Sequence, residues 1–236
     1  MKDLRPVAII PARGGSKRIP RKNVRSFGGL PMLAWPVATA LQSGLFGRVI
    51  VSTEDEEISK VAREAGAETP FVRPLELADD YSCTASVMEH AAQWLQVRGE
   101  LPTELCCIYP TSPFLTAEDL KRGLYLLRGG DWSYVLAATA FEAPLYRGFK
   151  ISVDGCLKML FPEHASTRSQ DLPQVFHDAA QFYWGRADAW LQRRAGLGTD
   201  STAVLIPHWR AQDIDTEDDW HRAEIMALTF KQNQAQ

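Results

Sequence analysis

Ile9-Ile10-Pro11-Ala12-Arg13-Gly14-Gly15-Ser16-Lys17-Arg18-Ile19-Pro20-Arg21-Lys22-Asn23 joins a short apolar run to a glycine-rich basic loop. An apolar run from Pro6 to Ala12 empties into a glycine pair. Arg13, Lys17, Arg18, Arg21 and Lys22 then place five cations within ten positions. The run predicts a buried strand over 7–12. Its loop suits a polyphosphate: glycines let backbone N–H groups approach phosphate oxygens, and the cations offset the charge. The loop is neither GxxxxGK[ST] nor GxGxxG, and read alone it also fits a solvated basic turn. Arg13 and Lys17 flank the glycines, while Lys22-Asn23 follow the stiff Ile19-Pro20. The charge is thus spread along a curved loop, as a triphosphate requires.

Beyond this loop, short apolar runs alternate with helical patterns. A helix over 31–43 is opened by Pro31, bent at Pro36 and closed by Gly44. The run RVIVS predicts a strand over 48–52, and a helix over 55–65 stops at Gly66. Phe71-Val72 reads as a short strand, 83–98 as a helix with Val87, Ala91, Trp94 and Leu95 on one face, and 105–109 as a strand. Thr116 and Asp119 form a near capping box for a helix carrying Leu120, Leu124 and Leu127, before a strand over 134–139. This alternation implies an α/β fold with a parallel sheet and helices on both faces. The pattern changes after Ala140. A hairpin is expected with strands 149–153 and 156–160 around a type I′ turn at Asp154-Gly155. Residues 141–181 read as an insertion in a single domain spanning 1–236. A strand over 204–207 follows. Thr216 caps a last helix with Ala223, Met226, Ala227 and Phe230 on its apolar face, and 231–236 are expected to fray.

Composition narrows the function. A net charge of −3 argues against broad nucleic-acid binding. The four cysteines show no CxxC spacing, and Cys106-Cys107 sit inside an apolar run, which fits a reducing compartment without a disulfide framework. The first residues, Met1 to Arg5, lack the apolar region of a signal peptide, and no run approaches the ~20 residues of a membrane span. The expectation is a cytoplasmic protein with no membrane and no nucleic-acid partner.

Asp213 and Asp215 lie two residues apart just before the last helix, so an extended backbone turns both carboxylates to one side. They can converge on a hard cation, Mg²⁺, or cap the helix and face solvent. Glu217, Asp218 and Asp219 suit the helix N-terminus. Arg73, before Pro74, is biased to an extended conformation. Thr84 reads as a cap or first-turn hydroxyl, and Asp79-Asp80 as pre-helix acids. In 141–181, Arg168 has the guanidinium geometry to pair with a carboxylate, and Gln170 and Gln181 can bond hydroxyl or acetamido groups. Phe182, Tyr183 and Trp184 could pack on methyl groups or belong to the core. His177-Asp178 invites a His–Asp base reading, although structural histidine is the commoner role.

Five blocks in order resemble the CMP-sugar synthetases, the cytidylyltransferases that activate nonulosonic acids. They are the opening stretch, Val51-Ser52-Thr53-Glu54-Asp55, Arg73-Pro74-Leu75-Glu76-Leu77-Ala78, Tyr109-Pro110-Thr111-Ser112-Pro113-Phe114 and Gln212-Asp213-Ile214-Asp215-Thr216. The segments 15–23, 167–171 and 181–184 look most like the pseudaminic acid branch. Tyr109 stands where sialic acid synthetases usually carry Gln, which points away from sialic acid. The resemblance implies a Rossmann-like nucleotidyltransferase sandwich. It implies transfer of CMP from CTP to the anomeric hydroxyl of a nonulosonic acid, pseudaminic acid first, with pyrophosphate released and a role in flagellin glycosylation. Sialic, legionaminic or deoxyoctulosonic acid, or a non-catalytic CTP-binding homologue, are the other readings. Arg13, Lys17 and Lys22 would act on the triphosphate. Ala12, Gly14, Gly15, Ser16, Asn23, Arg73, Thr84 and Tyr109 would complete the nucleotide site, and Asp213 and Asp215 would hold Mg²⁺. Arg168, Gln170, His177, Gln181 and Tyr183 would meet the sugar, and the insertion would cross to a partner's site in a homodimer.

Overall fold

The computed structural model describes residues 4–79 and 81–234, with side chains described through residue 229. Asp80, the side chain of Phe230, Met1 to Asp3 and the last two residues lie outside the described residues. In chain order the elements begin with β1 (Val7–Pro11), β2 (Ser26–Phe27), β3 (Leu30–Pro31) and α1 (Ala34–Gln42). Next come β4 (Arg48–Ser52), α2 (Glu56–Glu64), α3 (Thr84–Val97), β5 (Glu104–Ile108), α4 (Ala117–Gly129) and β6 (Tyr134–Ala140). Then follow β7 (Phe149–Ile151), β8 (Leu157–Met159), β9 (Phe176–Arg186), α5 (Ala187–Leu191), β10 (Ser201–Leu205) and α6 (Glu217–Gln234).

Six strands form the central sheet in the order β10-β6-β9-β5-β1-β4. β1 pairs in parallel with β4 and β5, and β10 with β6, while β9 is antiparallel to both β5 and β6. Burial on both sheet faces explains the near-continuous apolar runs. Ala8 and Ile10 of β1 pack on one face with α1, α2 and α4; Val7 and Ile9 pack on the other with α3 and α5. A third cluster, Ile19, Phe27, Met32, Phe114, Ile214, Trp220, Ala223 and Ala227, seats α6 on the segment after the basic loop. Among the described residues no helix is long and apolar enough to cross a membrane. Cys106 and Cys107 are buried thiols, as their apolar run implies.

The mainly parallel α/β sheet matches expectation; several details do not. Pro31 does not open α1. It pairs across a two-residue ribbon with Ser26, and the helix starts three residues later. Pro36 therefore falls in the first turn, where an N–H has no intrahelical acceptor, and no bend is needed. Phe71-Val72 contributes only a bridge from Val72 to Thr53. The hairpin turn is not type I′: positive φ occurs at Gly155 and not at Asp154, and Gly155 N–H donates to Ser152 O at 2.9 Å. This is a three-residue loop ending in a left-handed glycine. The insertion is shorter than 141–181, because β9 starts at Phe176 and carries the chain back into the central sheet. α6 continues as helix to Gln234 where fraying was expected.

Candidate active site

The parallel strands end on one edge of the sheet, where open α/β folds place their ligands. A cleft of about 650 Å³ lies there. It brings together Arg13, Ser16, Lys17, Lys22 and Asn23 from the loop after β1, Arg73, Thr84 at the start of α3, Tyr109 after β5, and Asp213 and Asp215 after β10. These ten residues span two hundred positions of sequence and were all expected at one site. Ala12, Gly14 and Gly15 support the loop without lining the cleft.

Each loop residue has a distinct place. Ala12 is buried, its N–H donating to Ser52 O at 3.0 Å. Gly14 N–H donates to Glu54 Oε1 at 2.7 Å, so that donor is engaged by a carboxylate. A Cβ on Gly14 would sit 2.5 Å from Asp55 Oδ2, so this glycine answers to close packing. Arg13 Nη1 donates to Asp79 O at 2.7 Å, and Asn23 Nδ2 to Arg13 O at 2.9 Å. Asn23 Oδ1 is buried and meets no protein donor. Lys22 Nζ donates to Ile214 O at 2.6 Å and to Asp215 Oδ1 at 3.2 Å, and Arg18 pairs with Asp215 Oδ2 at 2.8 Å. The two ends of the chain therefore meet in the cleft through opposite charges. Arg21 departs from the expected line of phosphate cations: it turns to Asp55, at 2.6 and 3.0 Å, and to Glu57.

Arg73 is nearly inaccessible. Burial pulls its guanidinium down to about 10, and it donates to Ser52 O and Oγ while standing 4.0 Å from Glu54 Oε2. Glu54, which was not expected at the site, thus links Arg73 to the basic loop. Tyr109 is pushed above the ordinary tyrosine value by burial, and its hydroxyl contacts Thr84. Asp213 is raised above the ordinary carboxylate range, first by burial and then by the charge of Asp215. Two carboxylates crowded in this way suit a bound cation. Among the described residues no group of three or more His, Cys, Asp or Glu is placed to hold a metal ion by itself. The pair would therefore leave most of an octahedral shell to water and phosphate oxygens, which is how Mg²⁺ is commonly held.

The sugar residues expected from the insertion are not brought to this cleft. Arg168 donates through Nε and Nη2 to Gln170 Oε1 at 2.7 Å once that amide is oriented to satisfy both groups. Gln181 is buried, its Nε2 donating to Arg210 O at 2.6 Å, which makes it a brace between β9 and the segment after β10. His177 is not part of a base dyad. Its Nδ1 contacts the Asp178 backbone carbonyl at 2.8 Å, and its ring meets Phe141 at a tilt of 56° with centroids 4.7 Å apart. Phe182 and Trp184 are core residues on one sheet face. Tyr183 points to the other and donates its hydroxyl to Asp178 Oδ2. Asp178 and Ala180 line the cleft. Their sequence signal was the His-Asp pair, read for its histidine.

The sequence profile of the family described as Cytidylyltransferase matches residues 7–206. A pseudaminic acid cytidylyltransferase of Campylobacter jejuni is 39% identical over 223 residues, covering 94% of this chain and 96% of that protein. A Helicobacter pylori protein named pseudaminic acid cytidylyltransferase and UDP-2,4-diacetamido-2,4,6-trideoxy-beta-L-altropyranose hydrolase is 36% identical, over 89% of this chain and 40% of its own length. Among solved structures, a CMP:2-keto-3-deoxy-manno-octonic acid synthetase complexed with CTP superposes with a TM-score of 0.68, covering 97% of this chain and 99% of that one. At 15% identity that likeness bears on the fold. With the profile spanning most of the chain and a relative of this identity along nearly its full length, the chain belongs to the cytidylyltransferase family.

Proposed function

We propose that the chain transfers CMP from CTP to the anomeric hydroxyl of pseudaminic acid, releasing pyrophosphate. One observation carries this reading: in a chain 39% identical to a pseudaminic acid cytidylyltransferase, a basic loop and an acid pair face the same cleft. The sugar hydroxyl attacks the α-phosphorus in line, the new P–O bond forms, the bond to the β-phosphate oxygen breaks, and the hydroxyl proton leaves to solvent. Catalysis of this kind is positioning and charge stabilisation. Arg13, Lys17 and Lys22 hold the triphosphate and offset charge on the departing pyrophosphate. Asn23 offers its buried Oδ1 to a nucleotide donor, and Thr84, Tyr109 and Arg73 shape the base and ribose side. Asp213 and Asp215 would hold Mg²⁺, which supplies positive charge at the α-phosphate. Lys22 and Arg18, which neutralise Asp215 in this structure, then turn toward phosphate oxygens.

The apolar hairpin β7–β8 makes a homodimer interface, and Arg168 and Gln170 serve a sugar from across it. Two cysteines kept as buried thiols suit a cytoplasmic enzyme, and a role in flagellin glycosylation follows from the sugar. The test is pyrophosphate release from CTP with a panel of pseudaminic, sialic, legionaminic and deoxyoctulosonic acids. Release is expected with pseudaminic acid and Mg²⁺ together. Preference for another acid changes the substrate, turnover that survives chelation removes the metal, and CTP binding without release makes the chain a binder.

A further inference from the structure

The cleft crosses the sheet edge from the loops after β4 and β1 to the start of β9, and its two halves differ in chemistry. The cations Arg13, Lys17 and Lys22 come from the β1 side, with Arg73 beside β4. The wall on the β9 side is Asp178, Ala180 and Tyr109. β9 runs antiparallel, so its beginning lies where its neighbours end. Opposite β6 it is distorted there: Leu136 faces Tyr183 and Ala138 faces Asp178, so residues 179–182 lie against the single Ala137. Ala180 takes φ +51°, a left-handed conformation rare outside glycine. The distortion has one evident product. It turns the Asp178 carboxylate into the cleft, fixed by Ala180 N–H on Oδ1 at 2.8 Å and by the Tyr183 hydroxyl on Oδ2. Strain of this kind concentrates where a site needs a group held in place.

An ionised carboxylate only accepts hydrogen bonds. It repels a triphosphate and the carboxylate of an acidic sugar, so what it takes must be a neutral donor. We infer that Asp178 positions the acceptor sugar by accepting a hydrogen bond from one of its hydroxyl or amide N–H groups, with Tyr183 as the residue that aims it. The inference rests on the proposed sugar transfer and gives that reaction a specificity-determining group within the chain's own cleft. Each oxygen of Asp178 keeps a lone pair beyond its protein partner, enough for a single sugar donor.

The test compares the full-length wild type with Asp178→Asn and Tyr183→Phe. It measures sugar KM and kcat by pyrophosphate release across the acid panel, and CTP affinity by calorimetry. Asn keeps the shape and the Ala180 turn while replacing an acceptor with a donor. Asp178→Asn is expected to raise the sugar KM about tenfold or more, the scale of a hydrogen bond to a charged group, with CTP affinity within about twofold of wild type. Tyr183→Phe, which leaves the acid in place but unaimed, should show the same split more weakly, and covers the case in which Asp178→Asn does not fold. An unchanged sugar KM in folded Asp178→Asn overturns the inference, and so does a parallel loss of CTP affinity. A wild type silent with every acid in the panel removes the sugar reading and this inference with it. Wild-type turnover with indifferent variants removes this inference alone.

Discussion

At the residue scale, cations from the loop after β1 share the cleft with carboxylates from the segment after β10. Lys17, Lys22, Asp213 and Asp215 announce themselves because a run of like charge needs a counterpart, and the cleft holds both signs. Arg21 carries the same signal yet serves the scaffold by pairing with Asp55, and the polar Gln181 braces Arg210 O, because a side chain's partner depends on a residue far away in sequence. Gly14 shows the consequence. Its absent side chain makes room for Asp55, which is itself fixed by Arg21 and by Ile58 N–H at 2.9 Å. Gly14→Ala must therefore push the loop outward and break the bond to Glu54. The expected result is a fall in kcat/KM for CTP of about 10²-fold, the effect of misplacing a site by an ångström. Wild-type kinetics in this variant would show the loop to be slack. Asp55 also sets a pH dependence. Arg21 donates two hydrogen bonds to it and holds its carboxyl below the usual carboxylate range, assisted by Ile58 N–H, which donates to Asp55 as the N-cap of α2. Its ionisation then favours the folded state above the unfolded value of about 4, and that contribution is lost as pH falls through the depressed folded value. Asp55→Asn keeps the cap but not the charge. Urea titrations should show a deficit against wild type near neutral pH that shrinks toward pH ~2, whereas a constant deficit would remove the electrostatic account.

At the element scale, the parallel strands were legible and β9 was not. Val7–Pro11, Arg48–Ser52 and Glu104–Ile108 are short apolar runs between helices, the pattern of strands buried on both faces. β9 enters after a long irregular segment, runs against its neighbours and breaks its alternation with Asp178, Ala180 and Gln181, so periodicity reads it as insertion. The same strand carries the bulk that fixes α4. Trp184 Nε1 donates to Leu120 O at 3.0 Å, and its ring stacks on Phe46 at 5.2 Å. Gly123 of α4 lies directly above: a Cβ there would meet Trp184 Cδ1 at 2.5 Å and Phe182 Cε2 at 2.9 Å. Two effects of Gly123→Ala oppose each other. Helix propensity gains about 1 kcal/mol, and overpacking a close-packed core costs about 1–3. Both rings are fully buried and cannot swing aside, so the cost lies at the upper end. Denaturant unfolding should show a net loss of about 1–2 kcal/mol, and a gain in stability would mean that α4 can lift from the sheet.

At the scale of the whole molecule, one feature does not close on itself. The hairpin β7–β8 shows Phe149, Ile151, Val153, Leu157 and Leu160 to solvent, and Ile151 and Leu157 are cross-strand partners, 69% and 67% exposed. Two strands without a covering layer are marginal in water, and an apolar patch of this kind marks an interface. A second copy of the chain is the partner that the proposed dimer supplies. Arg168 and Gln170, on the same insertion and outside this chain's cleft, would then be carried toward the partner's sugar. Ile151→Asp with Leu157→Asp places two charges in that interface and touches nothing in the core, so the fold should survive with native circular dichroism. Light scattering at low micromolar concentration is expected to give a dimer for wild type and a monomer for the double variant. Pyrophosphate release should fall with the dimer while CTP affinity stays near wild type, because the loop and acid pair are complete in one chain. A monomeric wild type would sink the dimer. A monomeric variant with full turnover would leave the dimer standing but confine the sugar site to a single chain, within the cleft that Asp178, Ala180 and Tyr109 wall.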